Sequence, residues 1–173
     1  RSEKVDDKMI GCTAIIMTGL SYNHEKFLSY GLKLLEKIIN SSFDSEYFPK
    51  SRNIRQLIFY LKYFILIREW FKESQSNVPD HINETILYLG QNYALVWQDV
   101  NIDFLFNGNN ISNNDEFDNY LKRFSYKFKN EKKEIGGYII LKDKKTCLAM
   151  DVGSSPNFDY SKDYQSGTLS FEI

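Results

Sequence analysis

Gly137-Tyr-Ile-Ile-Leu141, Lys142-Asp-Lys-Lys145 and Thr146-Cys-Leu-Ala-Met-Asp-Val152 decide the fold class. Two runs of β-branched, aromatic and aliphatic residues flank a charged reversal, which is the pattern of a β-hairpin. Upstream, from Val5 to about Gln98, apolar residues recur at helical spacing instead; the period changes once along the chain, and from about Glu134 onward it is strand-like. An α+β chain is expected, helices first and antiparallel strands after them.

The helical half divides into four segments. Ile10, Ala14 and Met17 mark a first helix ending near Gly19. Asn23 is the expected N-cap of a second, in which Leu28, Leu32, Leu35 and Ile39 recur at steps of three and four until Asn40-Ser-Ser breaks it. A third is expected from about Asn53 to Glu73, with Leu57, Leu61, Phe64, Ile65 and Phe71 inward. Pro79 closes the next turn, and a fourth helix follows from about Ile82 to Trp97. Short links make this an array of antiparallel helical hairpins. Asp99 to Asn114 is a polar, Asn-rich transition around Ile102-Asp-Phe-Leu-Phe106, and Asp115 to Phe124 is expected to add a short helix. After the hairpin, a loop from Gly153 to Ser166 leads to a further strand, Thr168-Leu-Ser-Phe-Glu-Ile173. The chain reads as a fragment cut within that strand, because an edge left there would be unpaired.

Composition narrows the function classes. Net charge is −1, from 22 basic and 23 acidic side chains, so no global field steers the chain to nucleic acid. Leu57 to Phe71 is the most apolar stretch, but Lys62 and Arg68 interrupt it and argue against a membrane span. Cys12 and Cys147 form no CxxC pair and read as buried small hydrophobes. No phosphate loop, nucleophile elbow or metal-ligand cluster is present, and neither metal nor cofactor is expected. His24 and His81 fall at expected helix starts and read as surface or capping residues; Trp70 and Trp97 read as core. Lys50, Arg52 and Arg55 cluster at the start of the third helix, where with Asn53 and the helix-terminal amides they suit a carboxylate or sulfate. Arg52 paired with a structural carboxylate is an equal alternative.

Several segments taken together resemble the heparinase II/III-like family. Gly136-Gly-Tyr-Ile-Ile-Leu-Lys-Asp143, Leu148-Ala-Met-Asp-Val-Gly153 and Gly167-Thr-Leu-Ser-Phe-Glu172 resemble the opening of its sandwich domain. Ser51-Arg-Asn53 with Gln56 resembles a helix start in the toroid of a bacterial branch, and Phe104-Leu-Phe-Asn-Gly108 resembles that branch's Phe-Asn-Gly segment. The anchors span about Ser51 to Glu172 in matching order. The resemblance implies the last helices of an (α/α) toroid over 1–114, a linker with a short helix over 115–134, and the first antiparallel strands of a β-sandwich over 135–173. It also implies a polysaccharide lyase that cleaves an acidic, uronate-containing polysaccharide or oligosaccharide by β-elimination, in the cytoplasm or periplasm of a bacterium.

That chemistry removes a proton α to a carboxylate, which must first be neutralised, and then protonates the departing glycosidic oxygen. Relatives use Tyr and His for these roles, with a His in the loop before Thr-Leu-Ser-Phe-Glu. Here that loop reads Tyr164-Gln-Ser-Gly167, so Tyr164 and Gln165 are the candidate catalytic residues and Arg52, Asn53 and Arg55 the candidate substrate-binding residues. Tyr47 is the candidate for a further family tyrosine near Arg52. Because Gln exchanges no proton near neutral pH, a second function stands beside the first: a catalytically silent relative that binds glycan or assists assembly of envelope polysaccharide.

Overall fold

A computed structural model describes residues 5–96, 115–143, 146–163 and 170–172. Its architecture is α+β, helices α1 (Val5–Ser21), α2 (Glu25–Ser42), α3 (Ile54–Glu73), α4 (Asp80–Val96) and α5 (Asp115–Arg123) preceding a small antiparallel sheet. The strands β1 (Glu134–Ile135), β2 (Tyr138–Lys142), β3 (Cys147–Asp151) and β4 (Phe171–Glu172) lie side by side in chain order. A 3₁₀ helix, Phe158–Asp163, sits in the connection between β3 and β4. The segments holding Trp97, Phe104 to Gly108, Tyr164, Gln165 and Gly167 to Leu169 lie outside the described residues.

The helices form where apolar side chains recur on one face. In α1, Met9, Cys12, Ile16 and Leu20 are buried at steps of three and four. α3 is enclosed on more than one side: Leu57, Tyr60, Leu61, Phe64, Ile65, Ile67 and Phe71 are all buried. It packs against both α1 and α4, while α1 packs against α2. Each large side chain fully buried there contributes roughly 1.5–3 kcal/mol, which makes α3 the central beam of the helical part. No helix among the described residues is long and apolar enough to cross a membrane.

Two boundaries differ from the sequence expectation. His24, not Asn23, caps α2: its Nδ1 accepts the Phe27 amide, and Asn23 instead takes a left-handed conformation, φ 50°, that closes α1. Asparagine tolerates that region, and the His24 amide then reaches back to the Gly19 carbonyl at 2.7 Å. Asn40-Ser-Ser also fails to break α2, which runs to Ser42; buried Ile38 and Phe43 hold the last turn against the core. Asn53 caps α3, accepting the Arg55 amide at 2.9 Å.

In the sheet, burial alternates along β3: Cys147, Ala149 and Asp151 face inward, and Leu148 and Met150 are half-buried. Tyr138 and Ile140 of β2 share that inner side, and Tyr138 pairs with Asp151 and Ile140 with Ala149. These inner residues join Phe48, Ile54, Leu57 and the rest of the helical core in one continuous apolar cluster. Phe117 and Leu121 of α5 belong to it as well. Helices and sheet thus share one apolar core.

Candidate functional site

The loop from Phe43 to Asn53 joins α2 to α3 and makes the contact surface for the sheet. The Asp44 carboxylate shapes it by accepting the Glu46 and Phe48 amides at 2.9 and 2.8 Å, and Phe43 bridges to Pro49. Phe48 is thereby turned inward, fully buried, with its ring 5.9 Å from that of Tyr138. At the loop's end Arg52 adopts φ 57°, a left-handed conformation that costs a non-glycine residue on the order of 1–2 kcal/mol. Tertiary bonds hold it there: its amide donates to the Pro49 carbonyl, and its own carbonyl accepts the Tyr138 hydroxyl at 2.8 Å.

The Arg52 side chain crosses into the sheet. Its Nε donates to the Gly136 carbonyl at 2.9 Å, Nη1 to Ser154 at 3.0 Å and Nη2 to Gly137 at 3.2 Å, while Nη2 also forms an ion pair with Asp151 Oδ1. One face of the guanidinium lies on the Tyr138 ring, 4.7 Å from its centroid. The other region near it is kept clear by glycine: a Cβ on Gly137, whose φ is +79°, would stand 2.6 Å from Gly153 Cα and 2.9 Å from Arg52 Nη2. Asp151 is wholly buried, and an unpaired carboxylate there would be strongly unfavourable. Arg52 neutralises it, and Asp151 Oδ1 also accepts the Gly153 amide. Asp151 Oδ2 and the Ser170 hydroxyl, neighbours across the β3–β4 connection, are buried without a hydrogen-bond partner among the described residues.

Above this joint lies a pocket of about 440 Å³. The helical side supplies Asp44, Glu46, Lys50 and Arg52; the sheet side supplies Gly136, Gly137, Gly153 to Asn157, and Tyr160 of the 3₁₀ helix. Tyr160 is held by its hydroxyl, which donates to the Ser41 carbonyl at 3.0 Å, and Lys50 Nζ stands 5.9 Å from its ring centroid. Lys50 Nζ also donates to the Asn40 carbonyl at 2.8 Å. Glu46 pairs with Lys132 at 2.7 Å. A fixed aromatic ring beside an ammonium, with hydroxyls and an amide around the rim, suits a polar ring-shaped ligand carrying a carboxylate.

The candidate residues part company here. Arg52 borders the pocket but is only 7% exposed and its guanidinium is engaged by Asp151 and three carbonyls. Asn53 spends its side-chain oxygen on the helix cap, and Arg55 is exposed in the first turn of α3, outside the pocket lining. Tyr164 and Gln165 lie outside the described residues; Tyr160 and Ser170, which flank them in sequence, stand at the pocket wall and beside Asp151. Tyr47 stacks on Tyr88 at 4.9 Å, away from the pocket lining, and burial with the nearby charges of Glu84 and Tyr88 raises its phenol above the ordinary value, the wrong direction for a base. His24 is a cap, and His81 lies in the first turn of α4 with Nε2 buried and without a partner among the described residues.

Lys50 and Tyr160 are the pocket residues that periodicity does not single out. Asp151 did carry a signal: alternation along Cys147-Leu-Ala-Met-Asp151 puts a carboxylate on the buried face of a strand, which calls for a buried cation elsewhere. No family model, curated protein or solved structure matches this chain.

Proposed function

We propose that this chain is part of a heparinase II/III-like polysaccharide lyase, its helices belonging to an (α/α) toroid and its sheet to a β-sandwich, and that the pocket at their junction holds a uronate-containing glycan. The observation that carries the reading is a convergence. Ser51-Arg-Asn53 from the helical half and Gly136-Gly137 with Asp151-Val-Gly153 from the sheet half bear the family resemblance, and Arg52 bonds directly to Asp151 and to the carbonyls of Gly136 and Gly137. Segments about 100 residues apart in sequence meet at one polar, aromatic-bordered cavity.

In this reading Lys50, not Arg52, meets the uronate carboxylate, because the Arg52 charge is already balanced by Asp151. Charge neutralisation there acidifies the proton α to the carboxylate. Tyr164 is then the proton-transfer group and Gln165 a hydrogen-bonding partner for the sugar, since an amide neither takes nor gives a proton near neutral pH. A catalytically silent glycan-binding relative is the second reading. Two observations favour it: Arg52 is committed to the joint, and no histidine lines the pocket among the described residues.

Incubating the protein with uronate polysaccharides and following the ultraviolet absorbance of an unsaturated uronate separates the two. A steady rise supports the lyase. Binding without a rise supports the silent relative, and absence of both removes the glycan reading.

A further inference from the structure

The ionic groups around the pocket nearly cancel. Arg52 is paired with Asp151 and Glu46 with Lys132. Asp44 uses Oδ1 to accept two backbone amides and has no cation partner among the described residues. Lys50 donates to a backbone carbonyl and pairs with no carboxylate among them. Among the described residues the lining therefore holds one ammonium, Lys50, and one carboxylate, Asp44, without an ionic partner. The chain as a whole adds nothing to tip this balance, with a net charge of −1.

Resting on the glycan reading above, we infer that the pocket selects an unsulfated uronate sugar, one carboxylate on Lys50 with the pyranose against Tyr160, and rejects sulfated glycans. A single carboxylate meets a single ammonium. Each further sulfate brings a second negative charge toward Asp44, with no free cation among the described lining residues to receive it. Like charges brought together at a partly desolvated surface oppose binding, and the expected penalty is about tenfold in affinity per sulfate. A site built for sulfated chains would instead show clustered, unpaired Arg and Lys side chains.

The test is calorimetric titration of the protein with oligosaccharides of equal length on two backbones, chondroitin and heparosan, each in unsulfated and sulfated form. The expected result is about tenfold tighter binding of the unsulfated member on at least one backbone. Lys50→Gln is expected to erase the preference for the uronate form over its carboxyl-reduced counterpart. Asp44→Asn, which keeps the Oδ1 acceptor of the loop, is expected to shrink the sulfate penalty severalfold, so the inference survives even if one variant folds poorly. Equal or tighter binding of the sulfated members overturns the inference and leaves the glycan reading standing. Binding of none of the four overturns both.

Discussion

Replacing Arg52 with methionine removes the guanidinium but keeps a long apolar stem against the Tyr138 ring, and it isolates what the charge contributes. The loss leaves Asp151, which is fully buried, without its counter-ion, and breaking a buried pair from one side costs about 3–5 kcal/mol. The carbonyls of Gly136, Gly137 and Ser154 also lose their donor, but they border an open pocket where water replaces it, so they add little. The expected cost is about 4 kcal/mol, a large share of the roughly 5–15 kcal/mol that holds a typical domain. At roughly 2–4 °C per kcal/mol for a chain of this size, Tm should fall by roughly 8–16 °C. Urea unfolding followed by far-ultraviolet circular dichroism gives the free energies. The double variant Arg52→Met with Asp151→Leu should recover most of the loss, since an apolar pair replaces an ion pair with little penalty. A single-variant cost below about 1 kcal/mol, or a double variant as unstable as the two singles summed, would refute the claim that this pair joins helices to sheet.

Three further outcomes follow from the same geometry. Gly137→Ala should cost at least ~2 kcal/mol, because φ +79° disfavours a Cβ and that Cβ would meet Gly153 Cα at 2.6 Å, whereas Gly11→Ala, with open space around it in α1, should stabilise by ~0.5–1 kcal/mol in the same melting assay. Asn53→Ala should lower stability by about 1 kcal/mol and Asn53→Asp should restore it, since the carboxylate caps α3 equally well; a residue serving only a ligand would leave the melt unmoved. Burial pushes the Cys12 thiol up to about 12 from an ordinary 9.0. The folded state then keeps a proton that the unfolded state releases, so stability is full below pH 9 and declines as pH climbs toward 12. Burial pushes Tyr120 up from 10.0 to about 12 as well, so Cys12→Ala should make the alkaline limb shallower from pH 9 upward while the Tyr120 contribution above pH 10 remains.

What the sequence made legible follows from which forces act locally. α3 was readable almost to the residue, because its apolar period and the breaks around it agree. The hairpin was readable because β-branched and aromatic residues stand on both sides of a charged turn; its register, Tyr138 opposite Asp151 with Lys142 inside the strand, comes from the structure. The three-residue link between α1 and α2, Tyr22 to His24, was not, since Asn23 and His24 are both polar, and only the return of the His24 amide to Gly19 decides which one closes the first helix. The end of α2 was misjudged because Asn and Ser weaken a helix by only a few tenths of a kcal/mol, less than the burial of Ile38 and Phe43 contributes.

The site was legible in its parts more than in its assembly. The basic cluster at Lys50, Arg52 and Arg55 was visible, but the three side chains serve different ends: a pocket wall, a buried joint and an exposed first turn. Nothing local distinguishes them; the distinction comes from Asp151, 99 residues downstream. Tyr160 sits in a connection without hydrophobic period, and its 3₁₀ helix was therefore not expected.

The central claim, that the helix–sheet junction is a glycan pocket, is tested most directly by mapping amide chemical shifts while the protein is titrated with an unsulfated oligouronate. Shifts concentrated at Lys50, Ser154, Asn157 and Tyr160, and lost in Tyr160→Ala, are expected. Shifts confined instead to the exposed aromatics Tyr22, Phe27 and Tyr30 at the start of α2, or no shifts at any concentration, would contradict it.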